Sequence, residues 1–223
     1  MSEPRDLIAA TESFIRERLA GDSSGHDWWH IHRVRNNAIA IARAEGADAF
    51  VSELAALLHD VADWKFHGGD DTAGPRAARE WLTAQSAEAA VIDRVCDIIA
   101  GVSFKGAGVT TDMPTIEGRC VQDADRLDAL GAIGIGRAFA FGGHFGRLMY
   151  DPDHPPQSHA TFAEYKSKSG PTINHFYEKL LLLKDRMQTP TGRRMAAERH
   201  AFMEEFLARF LREWDGVDDG VTC

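Results

Sequence analysis

Glu53-Leu54-Ala55-Ala56-Leu57-Leu58-His59-Asp60-Val61-Ala62-Asp63 is the stretch on which the reading of this chain turns. A strongly apolar helical run ends in a His-Asp doublet. Polar groups that emerge from a core need partners, and a metal ion is one. Two further ligand types flank the doublet. Upstream is His30, in His26-Asp27-Trp28-Trp29-His30-Ile31-His32-Arg33-Val34. Downstream is Asp125, in Val121-Gln122-Asp123-Ala124-Asp125-Arg126-Leu127-Asp128-Ala129-Leu130-Gly131. Two imidazoles and two carboxylates suit a divalent first-row ion. An ion held this way can bind a phosphate oxygen and activate a water.

Outward from the doublet the chain reads as nearly all helix. Leu7, Ile8, Phe14, Ile15 and Leu19 fall at helical spacing over Asp6 to Leu19. Gly21 to Gly25 is a break. A second helix is predicted from near Trp28 to about Glu45, and Gly46-Ala47-Asp48 separates it from the helix that ends at the doublet. Phe66 to Gly74 reads as a loop, Pro75 as the first turn of a helix to Thr83, and Ala87 to Ala100 as another helix. Ser103 to Pro114 is a Gly-rich loop before the helix that holds Asp125. A Gly- and Pro-rich insert is predicted over Phe141 to Pro156. Helices over Thr172 to Met187 and Thr191 to Trp214 follow, around Gln188-Thr189-Pro190. Strand signals are almost absent. The expectation is one all-α domain over 1–223, with a core about 26–135, the insert about 141–160 and C-terminal helices about 161–215.

Composition narrows the function classes. At 223 residues, 44% hydrophobic and 26% charged, the chain is an ordinary globular protein. A net charge of -9 and pI ≈ 5.5 argue against binding duplex nucleic acid by bulk charge. Cys96, Cys120 and Cys223 have no metal-ligand spacing and form no disulfide framework. A reducing cytoplasm is the expected compartment. Met1 to Asp6 carries no signal-peptide pattern, and no apolar run reaches membrane length.

Each ligand has a plainer alternative. His26 precedes the second helix and reads as a cap or surface residue. His30 and His32 face different sides of a helix, so both cannot bind one ion. Asp123, Asp125 and Asp128 could form a solvated, capping face, but Val121, Ala124, Leu127, Leu130 and Ile133 around them are apolar and place the segment in the interior.

These residues amount to a family pattern. The chain resembles the HD-domain superfamily of metal-dependent phosphohydrolases, helical bundles that hold an ion through a first His, the doublet and a distant Asp. His30 with Val34 matches the first position and His59-Asp60 the doublet. Ala124-Asp125-Arg126-Leu127 matches the last motif, which selects Asp125 over Asp123. His59 to Phe66, Ser103-Phe104-Lys105-Gly106, Thr191-Gly192-Arg193 and Arg199 to Met203 look like the bacterial YpgQ/YedJ-type branch. The resemblance covers about residues 5 to 215. It implies an all-α nucleotide hydrolase with His30, His59, Asp60 and Asp125 on one divalent ion. Mn²⁺ is the favoured ion, with Mg²⁺, Ni²⁺, Co²⁺, Fe²⁺ and Zn²⁺ as alternatives.

From that site, Asp63 is the first candidate for the proton acceptor, three residues past Asp60, and Asp128 bears the same relation to Asp125. The alternative for each is support of a ligand. Positive partners for an anionic substrate are Lys65, Arg126 and above all Lys105, in a Gly-rich loop whose N–H groups can also meet phosphate. Trp64 and Phe104 can stack on a base or pack in the core. Arg147 and Tyr150 are candidate lid contacts, and Lys179, Lys184, Arg193 and Arg199 a candidate pocket wall. The expected reaction is hydrolysis of a (deoxy)nucleoside triphosphate to monophosphate and pyrophosphate. The alternatives are phosphomonoester hydrolysis of nucleoside monophosphates, or a regulatory module that binds a nucleotide without turnover. The expected partner is a small-molecule nucleotide, with no duplex nucleic acid, no membrane, and room for a homodimer.

Overall fold

The computed structural model describes residues 3–21, 27–62, 70, 72–103, 109, 111–157 and 170–216. Among these the chain forms α-helices and no strand. In order they are α1 (Pro4–Arg18), α2 (Trp28–Glu45), α3 (Ala49–Leu58), α4 (Ala73–Ala84), α5 (Ala89–Val102), α6 (Ile116–Asp128), α7 (Gly131–His144), α8 (Thr172–Glu178) and α9 (Pro190–Trp214).

The centre of the molecule is α3. Its first turn is capped by Asp48, whose side chain accepts from the N–H groups of Phe50 and Val51. From Leu54 to Leu58 every residue is fully buried. A helix apolar on all sides belongs inside a bundle, and α1, α2, α5 and α6 pack around it. Truncating one of these leucines to Ala removes about 2–5 kcal/mol. Helix α2 begins at Asp27, which accepts from His30 N–H, and ends at Gly46 in the left-handed region (φ 69°). It buries Ile31, Val34, Ala38, Ile41 and Ala42 against α3 and α6. Helix α6 is capped by Thr115, which accepts from Gly118 N–H. Helix α9 starts with Thr189 capping Gly192 N–H and Pro190 in its first turn, then lies across α7, α6 and α2.

Three expectations from the sequence are corrected. The predicted insert from Phe141 begins too early, because α7 continues through Gly142 and Gly143 to His144. A Cβ at Gly142 would lie 2.2 Å from Thr172 Oγ1, so glycine here permits the close approach of α7 to α8 and does not mark a loop. The predicted helix Thr172 to Met187 is interrupted at Lys179 (φ -142°, ψ -58°) and proceeds as 3₁₀ turns at Leu180–Leu182 and Lys184–Arg186. Where these turns stop, Arg126 donates to the Arg186 carbonyl and Asp123 accepts from the N–H of Gln188, so tertiary partners take over from the local backbone bonds. Ile133, expected inside, is 46% exposed. Gly131 (φ 69°) resets the chain between α6 and α7, so the periodicity of α6 does not extend to it.

Candidate metal centre

Three elements deliver four donors to one place. His30 comes from the first turn of α2, His59 and Asp60 from the end of α3, and Asp125 from the last turn of α6. His30 Nε2 lies 3.2 Å from His59 Nε2, 3.3 Å from Asp60 Oδ2 and 3.6 Å from Asp125 Oδ1. His59 Nε2 lies 3.6 Å from Asp60 Oδ2 and 3.7 Å from Asp125 Oδ1. Both imidazole side chains are 1% exposed, whereas Asp60 is 16% and Asp125 30% exposed. The nitrogens therefore form a buried floor and the carboxylates an accessible rim.

The donor set fits a divalent ion. The Nδ1 atom of His59 meets the Ala56 carbonyl at 2.8 Å, and that of His30 meets Asp128 Oδ2 at 2.7 Å. Both partners accept, so Nδ1–H donates in each ring and each Nε2 presents a lone pair to the centre. Two bare lone pairs 3.2 Å apart, beside two carboxylates, require a positive charge between them. Burial pulls the His30 pKa down, as does the charge of Arg137, yet Asp128 and Asp60 raise it above its ordinary value. Donors bonded to a first-row ion at about 2.0–2.2 Å stand roughly 3 Å or slightly more apart, close to the separations seen. His30, His59 and Asp60 are thus a group that could hold a metal ion.

The position of Asp128 favours the supporting role that the sequence left open beside the catalytic one. It is 1% exposed and lies behind His30. Its oxygens accept from Arg33 at 2.6 and 3.0 Å and pair with Arg137 at 3.1 Å. Burial alone would raise its pKa, but hydrogen bonds from His30 and Arg33 and the charge of Arg137 hold it well below the usual carboxylate range. A carboxylate so engaged is better placed to orient an imidazole than to collect a proton. Sequence reasoning missed Arg33 and Arg137. Arg33 was within reach, since it lies one turn from His30 on the same helix face. Nothing local marks Arg137.

Asp123 is absent from the cluster. It accepts from Gln188 N–H, Thr189 N–H and Thr189 Oγ1, and so anchors the start of α9. A Cβ at Gly192 would meet Asp123 Oδ2 at 2.4 Å, which accounts for Gly192 in Thr191-Gly192-Arg193. Arg199 donates to the Leu127 carbonyl at 2.5 Å and closes the end of α6.

Of the predicted substrate contacts, Arg126 does not join the four donors. One residue beyond Asp125, it is rotated by about 100° around the helix. It donates to Arg186 O and to Thr111 Oγ1. Tyr150 packs edge-on against Phe210 and Trp214, and Arg147 lies over the Phe141 ring, 5.4 Å from its centroid. Both belong to the α7–α9 side of the molecule. Asp63, Trp64, Lys65, Phe104 and Lys105, and also His26, lie outside the described residues.

The geometry and topology are those of an HD-domain protein, and the chain belongs to that family. The HD domain family matches residues 28–130, which contain all four donors. Across nearly the whole length the chain is 38% identical to YpgQ of Bacillus subtilis, over 92% of this chain and 93% of the relative. The structure of YpgQ in complex with ADP superposes with a TM-score of 0.73 and 36% identity, covering 95% of this chain and all of YpgQ's. A Lactobacillus plantarum protein gives a TM-score of 0.86 at 38% identity, over 97% of this chain and 100% of that one. An HD-superfamily hydrolase of Bacillus thuringiensis gives 0.73 at 44%, over 96% and 100%. Among the described residues no helix is long and apolar enough to cross a membrane.

Proposed function

We propose that this protein is a metal-dependent phosphohydrolase of nucleotides, which splits a (deoxy)nucleoside triphosphate into the monophosphate and pyrophosphate. The observation that carries the reading is the convergence of His30, His59, Asp60 and Asp125, with buried nitrogens and an accessible carboxylate rim. A closed structural site would bury all its donors; this one keeps a side for water and substrate. Mn²⁺ is the proposed ion, and when bound it would polarise a phosphate oxygen and acidify a water. Asp128 fixes the His30 ring, and the Ala56 carbonyl fixes His59. Asp63 is the proposed proton acceptor, and Lys105 and Lys65 the phosphate contacts, by their places in the sequence beside the doublet and in the Gly-rich loop. The ADP held by YpgQ supports a nucleotide as the substrate class.

The test is a panel of nucleoside tri-, di- and monophosphates with Mn²⁺, scored for both inorganic products. Pyrophosphate from triphosphates is expected, with loss on chelation and recovery on adding Mn²⁺. Orthophosphate from monophosphates alone would replace the proposed reaction with phosphomonoester hydrolysis. Turnover that persists in chelator would refute the metal site.

A further inference from the structure

A second basic site lies around α6 from the four donors. Arg119 and Arg126 of α6, Arg186 of the second 3₁₀ turn and Arg193 of α9 line one cavity of about 490 Å³. Asp112 and Asp185 are its acidic members, so its lining carries two more positive than negative groups. Asp123 lies beneath it, but its oxygens are committed to Gln188 and Thr189.

Arg119, Arg126 and Arg193 are held in place by neutral acceptors, and Arg186 has one such acceptor among its partners. Arg119 Nε donates to Met113 O at 2.9 Å, Arg193 Nε to Met187 O at 3.0 Å and Arg186 Nη1 to Val109 O at 3.2 Å. Arg126 donates to Arg186 O and Thr111 Oγ1. Carbonyls fix a guanidinium without cancelling its charge. Among the described residues, Arg119, Arg126 and Arg193 form no direct ion pair with a carboxylate, although Asp123, Asp125 and Asp112 act on the charge of Arg126 from farther off, and Glu45 on that of Arg193. Arg126 is only 5% exposed, and its Nε is buried without a hydrogen-bond partner. An unpaired buried donor on a charged group is costly. In a molecule of net charge -9, such a convergence of cations calls for an anion.

We infer that this arginine-lined cavity binds a phosphate-bearing anion, of the size of pyrophosphate or a nucleotide's phosphate tail, separately from the metal donors. Guanidinium forks match phosphate oxygens two at a time, which point-charge lysines do not. The volume lies within the range of small-molecule sites and exceeds what a single phosphate fills. The anion comes either from the far end of the bound nucleotide or from a separate effector.

Isothermal titration of the full chain with inorganic pyrophosphate, in excess chelator, isolates this cavity from the metal centre. Saturable, salt-weakened binding is expected. The double variant Arg119→Gln/Arg193→Gln alters two exposed side chains, and its affinity should fall at least tenfold with the melting temperature retained. Asp112→Asn removes an acidic member and should tighten binding. No binding in chelator, an unchanged affinity in the double variant, or weaker binding in Asp112→Asn would overturn the site. None of these arms depends on turnover, so they fail independently of the proposed hydrolysis. The source is then read from kinetics on a nucleoside triphosphate. If the cavity holds the nucleotide's own phosphates, the double variant raises KM and pyrophosphate competes with substrate. If it holds an effector, KM for the nucleotide is unchanged and pyrophosphate alters the rate without competing.

Discussion

Replacing Asp128 with asparagine exchanges one acceptor oxygen for an NH₂ group at a point where four donors meet. His30 Nδ1, Arg33 Nε, Arg33 Nη2 and Arg137 Nη1 all lie within 3.1 Å of its carboxylate. An amide offers one oxygen. If that oxygen stays with Arg33 Nε, the NH₂ takes the place of Oδ2, opposes Arg33 Nη2 and Arg137, and faces His30 Nδ1, which it forces to accept. The ring proton then moves to Nε2, the atom that faces His59 and Asp60. A ligand held in the wrong tautomer costs about 10–100-fold in metal affinity, which is about 1.4–2.7 kcal/mol. The change also uncouples buried charges. Loss of one partner of a buried pair costs about 3–5 kcal/mol. The lower end applies here, since Arg33 is 31% exposed. The assay is calorimetric titration of chelator-stripped protein with Mn²⁺, beside melting of the same samples in chelator. The expected result is a folded variant of lower melting temperature with Mn²⁺ affinity down by one to two decades. A folded variant that binds Mn²⁺ as tightly as the parent would refute the tautomer argument and reduce Asp128 to a structural charge.

Asp63→Asn keeps the side-chain size but removes the proposed proton acceptor; kcat should drop about 10²-fold or more with Mn²⁺ still bound, and an unchanged kcat would remove Asp63 from the chemistry. Gly192→Ala puts a Cβ 2.4 Å from Asp123 Oδ2, so urea unfolding should show a loss of about 1–3 kcal/mol. Metal affinity should be unaltered, because Asp123 holds α9 and not the ion. Cys120 is fully buried, and burial, with Asp123 nearby, pushes its thiol up to about 12. Only the thiolate reacts, so a maleimide at pH 8 should leave Cys120 unlabelled in the native protein and label it on unfolding; mass mapping after a native pulse checks this.

The place of the His-Asp doublet was legible from residue order alone. Asp48 and Asp27 before apolar runs fixed where α3 and α2 begin, and the unbroken apolar run Leu54 to Leu58 marked α3 as a central helix. That placed His59 and Asp60 at a helix end, emerging from the core, whereas His30 and Asp125 were singled out by the resemblance to HD-domain proteins. The former are local consequences of helical period and capping, which a sequence states directly. The partners across helices were not stated there. Asp128 reads the same on paper as Asp123 and Asp125, yet α2 docks so that one reaches the back of His30 while α9 claims another. Arg126 follows one of the four donors, but the helical turn aims it at the 3₁₀ segment. The passage of α7 through its glycines follows from the same cause. A hydrogen bond offered by a distant helix, or a close approach that only glycine allows, outweighs local propensity. Those contacts exist only once the helices have packed.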